Sequence, residues 1–167
     1  DYFLPGFTDE NTLVIISSYS GNTEETISAL EGALAKKAQI VCVCSGGKIL
    51  ETAKQHQLEF IQIPGGKPPR SCIGYSLIQL VRIFINKGFA PASMMDNLYD
   101  AIVLLEKEKE NIKKEAKEIA QKLHGTIPVI YSLGKSEGVA IRFRQQINEN
   151  SKMLCWHHVI PEMNHNE

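Results

Sequence analysis

The chain has 167 residues, of which 43% are hydrophobic and 22% are charged, and its net charge is −1. This length and composition suit an ordinary globular domain and exclude an intrinsically disordered chain. Because the charge is nearly balanced and no apolar run reaches the roughly 18 residues of a membrane span, we expect neither nucleic acid nor a membrane among the partners.

The four cysteines are too few for a disulfide framework in a chain of this length. Cys42 and Cys44 lie in an apolar run typical of a strand, where alternate side chains share one face. A Cys-X-Cys pair is a weak metal signal, and no second cysteine or histidine pair lies nearby. We therefore expect reduced, structural thiols, no metal site and a cytoplasmic location.

The ends of the chain suggest a fragment of a longer protein. The sequence begins without an initiator methionine, a few residues before an apolar run, and it stops inside a polar cluster at residues 161–167. We expect further polypeptide on both sides.

Three short apolar runs alternate with two helical segments in the first part of the chain. The runs at residues 13–16, 40–44 and 60–63 favour buried strands, and residues 24–37 and 46–56 favour helices. Asn22 or Thr23 is placed to cap the first helix. This alternation with short joints predicts an α/β fold with a parallel, right-handed, doubly wound sheet.

After the third apolar run, the sequence predicts a loop followed by helices. Residues 65–70 predict a loop, because two consecutive prolines cannot lie inside a helix, and residues 73–86 predict an apolar helix. Residues 96–124 predict one long helix whose apolar positions keep a 4-3 spacing, broken only at Lys109. We expect this helix to link two halves of the protein or to pack across a subunit.

The strand–helix alternation restarts after Gly125. Residues 127–133 predict a strand, residues 136–150 a helix and residues 153–159 another strand. The predicted parts of the chain are most of a first α/β domain without its N-terminal portion (1–95), a linking helix (96–124) and the beginning of a second domain (125–167).

The segment SYSGNTEET, residues 18–26, ends the first strand and opens the first helix. Open parallel sheets bind ligands at this position, where free N–H groups and the helix dipole favour an anion. The hydroxyls of Ser18, Ser20 and Thr23 can add hydrogen bonds. Because no P-loop lysine follows, we predict a site for a phosphate monoester rather than a triphosphate. The alternative is a serine-rich turn with an N-cap.

Arg70 and Glu149 are two further candidates. Arg70 follows Pro68 and Pro69, which stiffen its approach to a helix, and a rigidly held guanidinium suits an oxyanion or phosphate. Glu149 lies near a helix end, where the dipole opposes a carboxylate and favours proton binding, as a general base requires. The alternatives are a solvent-facing arginine on a loop and the charged face of an amphipathic helix.

Histidines lie near the end of the chain. His165 stands between two asparagines with a glutamate close by, a setting that can select one tautomer and make the ring an acid or a base. The neighbouring pair His157 and His158 lacks the helical spacing of a metal site. The alternative for these histidines is a structural or solvent-facing role.

Together, SYSGNTEET, KPPR, QINEN and PEMNHNE resemble, in the same order, segments of the bifunctional phosphoglucose/phosphomannose isomerase family. This family is a branch of the phosphoglucose isomerase superfamily with two sugar isomerase (SIS) domains of flavodoxin-like fold. SYSGNT fits any SIS protein, whereas NEN combined with NHNE is far more specific. The roles that the resemblance implies are phosphate contacts (Ser18, Ser20, Thr23), a cation near the reacting C1–C2 end (Arg70), the base that moves the proton (Glu149) and the proton donor of ring opening (His165).

The resemblance implies an aldose–ketose isomerase that interconverts glucose 6-phosphate, and also mannose 6-phosphate, with fructose 6-phosphate through a cis-enediol(ate). It implies a homodimer that binds a small sugar phosphate and needs no cofactor, metal or nucleotide. The family also carries an earlier glycine-rich phosphate segment and a later lysine and histidine, none of which lies in these 167 residues. We therefore expect the rest of the polypeptide to complete the site, and the fragment alone to be inactive.

Two other functions remain open at this point. A non-catalytic SIS module that senses a sugar phosphate would need Ser18, Ser20 and Thr23 but not Glu149 or His165. Another SIS isomerase, acting on glucosamine or arabinose phosphates, is the second alternative, and the NEN and NHNE segments count against it. The preference between glucose and mannose 6-phosphate does not follow from these residues.

Overall fold

A computed structural model describes residues 2–166 of the chain, arranged as two compact units. The first unit ends at Asp100 and the second begins at Ala101, a boundary that falls inside one long helix. Each unit carries its own parallel sheet, with three strands in the first and two in the second.

The first unit alternates strands and helices, as the hydrophobic pattern predicts. Its elements are β1 (Leu13–Ser18), α1 (Glu24–Ala35), β2 (Gln39–Cys44), α2 (Gly47–Gln55), β3 (Glu59–Gln62) and α3 (Ile73–Asn86). The strands lie in the order β1-β2-β3 and all pair in parallel. β1 is two residues longer than predicted because Ser18 still pairs with Cys44 of β2.

Helices cover both faces of this sheet, which is the predicted doubly wound arrangement. Cys42 of β2 belongs to a core with Leu30 of α1 and Ile49 of α2. Val43, the next residue but pointing to the other face, belongs to a second core with Ile83 of α3. The carboxyl ends of all three strands therefore meet at one edge between two helical layers.

The Cys-X-Cys pair is structural, and its two side chains face the same core as predicted. Cys42 and Cys44 are fully buried free thiols. Burial, with a smaller contribution from Cys44, raises the pKa of Cys42 to about 11, so its thiol stays protonated at neutral pH.

The second unit repeats the strand–helix–strand order on a smaller scale. Its elements are the larger part of α4 (Met94–Leu123), then β4 (Val129–Leu133), α5 (Glu137–Gln146), β5 (Trp156–Ile160) and α6 (Met163–Asn166). β5 begins three residues later than predicted, because its register with β4 starts at Trp156 opposite Val129.

The long helix α4 presents apolar side chains that the unit does not bury. About half or more of the surface is exposed in four of its apolar side chains, those of Ile102, Leu105, Ile112 and Ile119. No residue of α4, all of which the structure describes, is buried. Towards its end, α4 forms one wall of an apolar groove of about 580 Å³, and Phe143 of α5 lies on another wall. Within residues 2–166, no helix combines the length and the apolar character that a transmembrane span requires.

Candidate active site

The 18–23 loop joins the carboxyl end of β1 to α1 and brings two of the three predicted hydroxyls, those of Ser18 and Thr23, together. Ser18 is buried, and its Oγ lies 3.0 Å from Thr23 Oγ1 and accepts the N–H of Gly21 at 3.2 Å. Ser20 is exposed, and its Oγ accepts the N–H of Asn22 at 3.2 Å. The loop is therefore a tight turn whose side chains hold its own backbone in place.

Thr23 occupies the N-cap position of α1, but it does not cap the helix with its side chain. Its φ of −69° and ψ of 120° are typical of an N-cap, and across the described residues α1 has no side-chain cap hydrogen bond. Thr23 Oγ1 faces Ser18 instead. This leaves the first turn of α1, with its dipole, as the part of the loop best suited to an anion.

Asn22, the other predicted cap, serves a different helix. Its Oδ1 accepts the N–H of Lys48 at 3.0 Å, and the carbonyl of Gly21 accepts the N–H of Ile49 at 3.0 Å. Both donors belong to the first turn of α2, so the 18–23 loop caps α2 in place of a local residue. The N-terminal ends of α1 and α2 thus differ, since α2 already has protein acceptors.

Two glycines make this contact between the loops possible. Gly21 has φ +72°, and a Cβ at this position would lie 1.8 Å from the carbonyl oxygen of Gly46. Gly47 has φ +70°, and its Cβ would lie 2.6 Å from both Ser20 O and Asn22 Oδ1. The SGG segment at 45–47 was not predicted as part of the site, although it follows β2 just as SYSGNT follows β1. Adjacent parallel strands place the segments that follow them side by side, so the sequence could have predicted that residues 45–47 lie next to the 18–23 loop.

Tyr19 connects the 18–23 loop to the loop that carries Arg70. The Tyr19 hydroxyl accepts the N–H of Lys67 at 2.9 Å, three residues before Arg70. The pKa of Tyr19 is raised, chiefly because burial disfavours the phenolate, so the phenol stays protonated. Arg70 is exposed and lies in a 3₁₀ turn, Pro69–Ser71, directly before α3.

Glu149 was predicted to lie in an α-helix, but it lies in a π-helix that follows α5. The α-helix α5 ends at Gln146, four residues earlier than expected, and Ile147–Ser151 form a π-helix that carries Glu149. Asn150 Nδ2 donates to Gln146 Oε1 at 2.6 Å within this turn. Short π-helical segments occur frequently at functional sites, and the pattern of apolar residues could not reveal this one.

His165 lies in the short helix α6, just beyond the carboxyl end of β5. Glu149 precedes the amino end of β5, and the five residues of this strand separate the two regions by roughly 13 Å along its axis. The strand–helix–strand order therefore indicates that Glu149 and His165 lie near opposite ends of the second sheet. Glu167, which was predicted to lie close to His165, is outside the described residues.

His157, one of the two neighbouring histidines weighed as a metal site, contacts side chains of α5. Arg144 Nη1 lies 3.3 Å from His157 Nδ1, and because a guanidinium only donates, Nδ1 must accept. The ring proton of the neutral form therefore lies on Nε2, which is 3.7 Å from Glu137 Oε1. These contacts favour the structural alternative for His157.

The six predicted site residues fall into two groups. Ser18, Ser20, Thr23 and Arg70 belong to the first unit, while Glu149 and His165 belong to the second. In the part of the chain that the structure describes, no group of three or more His, Cys, Asp or Glu side chains is placed to hold a metal ion. The first group sets hydroxyl groups beside the N-terminus of α1, a position that suits an anion.

Two family models match the chain in separate regions. The model of the SIS domain matches residues 6–65, and the model described as bacterial phospho-glucose isomerase C-terminal SIS domain matches residues 112–167. The first region contains the 18–23 loop, and the second contains Glu149 and His165.

Curated relatives and a solved structure match the chain over nearly all of its length. A protein of Caldicellulosiruptor bescii named bifunctional phosphoglucose/phosphomannose isomerase is 41% identical over 100% of this chain and 51% of its own length. A protein of Sulfolobus acidocaldarius named D-glucosamine-6-phosphate 4-epimerase is 32% identical over 95% of this chain and 51% of its own length. The chain thus spans about half the length of the curated relatives that it matches.

The fold is similar to that of a crystal structure from Clostridium difficile, described as a candidate phosphosugar isomerase. The TM-score is 0.70 at 18% sequence identity, and the match covers 96% of this chain and 49% of the other. At this identity the likeness establishes the α/β fold alone, and the SIS assignment comes from the family models.

Proposed function

Because the chain belongs to the bifunctional phosphoglucose/phosphomannose isomerase family, we propose that it forms part of an enzyme that interconverts aldose and ketose sugar phosphates. The substrates are glucose 6-phosphate and mannose 6-phosphate, each converted to and from fructose 6-phosphate. The observation that carries the proposal is the hydroxyl-lined start of α1 at the carboxyl edge of the first sheet, in a chain whose relatives bear this name.

Phosphate binding anchors the substrate at the 18–23 loop. Ser18, Ser20 and Thr23 supply hydroxyl groups around the first turn of α1, whose N–H groups and dipole favour the dianion. The binding energy of the phosphate, which does not react, positions the sugar carbons that do react.

Proton transfer uses Glu149 and Arg70. Glu149 removes the proton from the carbon next to the carbonyl group and returns it to the neighbouring carbon, so one carboxylate serves both steps through a cis-enediol(ate). Arg70 stabilises the negative charge that develops on the oxygen. Because the intermediate is planar at C2, the proton can return to either face, and both glucose and mannose 6-phosphate can form.

Ring opening is the role of His165. The cyclic sugar must open before its carbonyl group exists, and an imidazolium can protonate the ring oxygen as the hemiacetal breaks. The position of its short helix just after the carboxyl end of β5 supports this role, because α/β folds bind ligands at that edge of the sheet.

We also propose a homodimer in which two chains share each site. The opposite placement of Glu149 and His165 along β5 supports this arrangement, since one small sugar could not contact both residues of one chain at that separation. The exposed apolar side chains of α4 are suited to bury against a second copy.

A coupled assay with each aldose phosphate tests the proposal in the complete polypeptide. Replacing Glu149 by Gln keeps the shape of the side chain but removes its basicity. We expect kcat to fall by about a hundredfold to ten-thousandfold, as for the loss of a general base, with little change in fructose 6-phosphate binding. Gln145→Glu, an exposed change in α5, is the control, and wild-type turnover by Glu149→Gln would refute the assigned base.

A second candidate function comes from the epimerase-named relative. The same phosphate loop could hold glucosamine 6-phosphate, because the hydroxyls contact only the phosphate. Turnover of glucosamine 6-phosphate, without turnover of glucose or mannose 6-phosphate, would favour this function over the first.

A further inference from the structure

Tyr19 stands between two of the proposed phosphate-binding serines but faces the other side of the sheet. Ser18 turns towards Thr23 at the start of α1, whereas the Tyr19 ring packs against the core that contains Val43 and Ile83. Alternation along the strand explains this, because consecutive side chains point to opposite faces. The same short segment therefore reaches both layers of helices.

Tyr19 is held at its backbone and at the tip of its side chain. Its carbonyl accepts the N–H of Ser45 at 2.9 Å and the hydroxyl of Ser45 at 2.6 Å. Its own hydroxyl accepts the N–H of Lys67 at 2.9 Å. The ring thus acts as a strut between the 18–23 loop and the start of the KPPR segment.

The stiff backbone of the KPPR segment fixes the position of Arg70 relative to Lys67. Pro68 and Pro69 restrict the backbone between Lys67 and Arg70. The carbonyl of Pro68 then accepts the backbone N–H of Ser71 at 2.9 Å and its hydroxyl at 2.8 Å. From Lys67 onward the backbone therefore has little freedom, so anchoring its N–H also places Arg70.

We propose that Tyr19 is a positioning residue, whose hydroxyl holds Arg70 at a set distance from the phosphate-binding hydroxyls. The inference rests on the proposed function, in which Arg70 stabilises the oxyanion at C1–C2 while the phosphate on C6 stays in the 18–23 loop. A substrate of given length reacts efficiently only when the distance between Arg70 and the phosphate-binding loop matches that length. Tyr19 therefore matches the site to the length of a hexose 6-phosphate.

The test is Tyr19→Phe in the complete polypeptide, which keeps the ring packing and removes the acceptor for Lys67 N–H. We expect kcat to fall about fivefold, the usual effect of losing one hydrogen bond. The KM for fructose 6-phosphate should stay within about twofold, because the phosphate contacts remain. Tyr2→Phe is the matched control, since Tyr2 is 49% exposed, precedes β1 and lies outside the proposed site.

A double-mutant cycle with Arg70→Gln separates a role through Arg70 from a general structural role. In the Arg70→Gln background, Tyr19→Phe should lower kcat by less than about twofold, because the group that it positions is gone. A full fivefold loss in that background, a raised KM with unchanged kcat, or wild-type kcat in the single variant would each overturn the inference.

Hydrogen exchange of the Lys67 amide gives a readout that does not depend on turnover. Tyr19→Phe should accelerate this exchange about fivefold or more, because the amide loses its acceptor. An unchanged rate at Lys67 overturns the inference even if the enzyme is active. If the polypeptide instead binds fructose 6-phosphate without turnover, the proposed function fails while the exchange experiment still decides whether Tyr19 anchors the segment.

Discussion

Gly21 is the residue on which the shape of the 18–23 loop depends most directly. Its φ of +72° is costly for any residue with a Cβ, and its close approach to the Gly46 carbonyl brings the two loops together. The contact also lets the Gly21 carbonyl accept the N–H of Ile49. The geometry of the proposed anion site and the capping of α2 therefore depend on the same position.

Replacing Gly21 by Ala should disrupt both features at once. The left-handed backbone and the overlap with the Gly46 carbonyl oxygen should lower the free energy of unfolding by at least about 2 kcal/mol. Urea denaturation of the complete polypeptide measures this change.

Gly74→Ala is the matched control for Gly21→Ala. Gly74 lies in α3 with open space where its Cβ would be, so the change should alter stability by less than about 1 kcal/mol. Equal stabilities of the two variants would show that the loop contact is not as tight as the structure indicates.

At the scale of elements, β2 is the strand that the fold buries most completely. Its five residues from Ile40 to Cys44 are all buried, between α1 and α2 on one face and α3 on the other. A thiol in such a strand ionises only at a free-energy cost, which is why the pKa of Cys42 rises from 9.0 to about 11.

This buried thiol predicts a loss of stability in alkaline solution. Below pH 9 the Cys42 thiol is protonated in both the folded and the unfolded state. Between pH 9 and pH 11 it ionises in the unfolded state first, so the folded state loses stability as the pH rises through this window. Between pH 8 and pH 10 the free energy of unfolding should fall by about 1 kcal/mol from this group alone.

The comparison that isolates this effect is Cys42→Ala, studied by urea denaturation at both pH values. The variant is less stable at pH 8 because it loses buried volume. Its stability should nevertheless decline less between pH 8 and pH 10 than that of the wild type. Parallel declines would mean that Cys42 does not titrate as its burial indicates.

The regular elements could be predicted from the sequence, and the irregular ones could not. Helix α3 has the predicted bounds, Ile73–Asn86, because its ends coincide with a proline-rich loop and a glycine. The π-helix at Ile147–Ser151 was predicted as ordinary helix, because α- and π-helical turns differ by only one residue in their hydrogen bonding.

The candidate site, too, could be predicted only in part, because some of its contacts join residues that are distant in the sequence. The 18–23 loop was predicted as a candidate site because its hydroxyls follow an apolar run and precede a helix. The partner of Asn22 was not, since Lys48 lies 26 residues away and only the parallel pairing of β1 with β2 brings them together. Tyr19 was missed because its contact with Lys67 spans 48 residues.

At the scale of the whole molecule, the proposed acid–base pair is divided between the two ends of one strand. A dimer that combines Glu149 of one chain with His165 of another predicts that two inactive variants can restore activity to each other. In a mixed dimer of Glu149→Gln and His165→Ala chains, one of the two sites would contain both native residues.

Co-expression of these two variants should therefore yield about a quarter of the wild-type activity, because half of the randomly formed dimers are mixed and each has one intact site. Either variant expressed alone supplies the baseline. Activity that stays at this baseline in the mixture would show that each site takes both residues from one chain.

The alternation of Ser18 and Tyr19 has a consequence for how this segment can vary. Neighbouring residues of an extended chain face opposite sides, so inserting or deleting a single residue in β1 would exchange the directions of the two side chains. The serine would then point towards α3 and the tyrosine towards α1. The length of the segment is therefore constrained, because only insertions or deletions of two residues keep the hydroxyl and the ring on their own sides of the sheet.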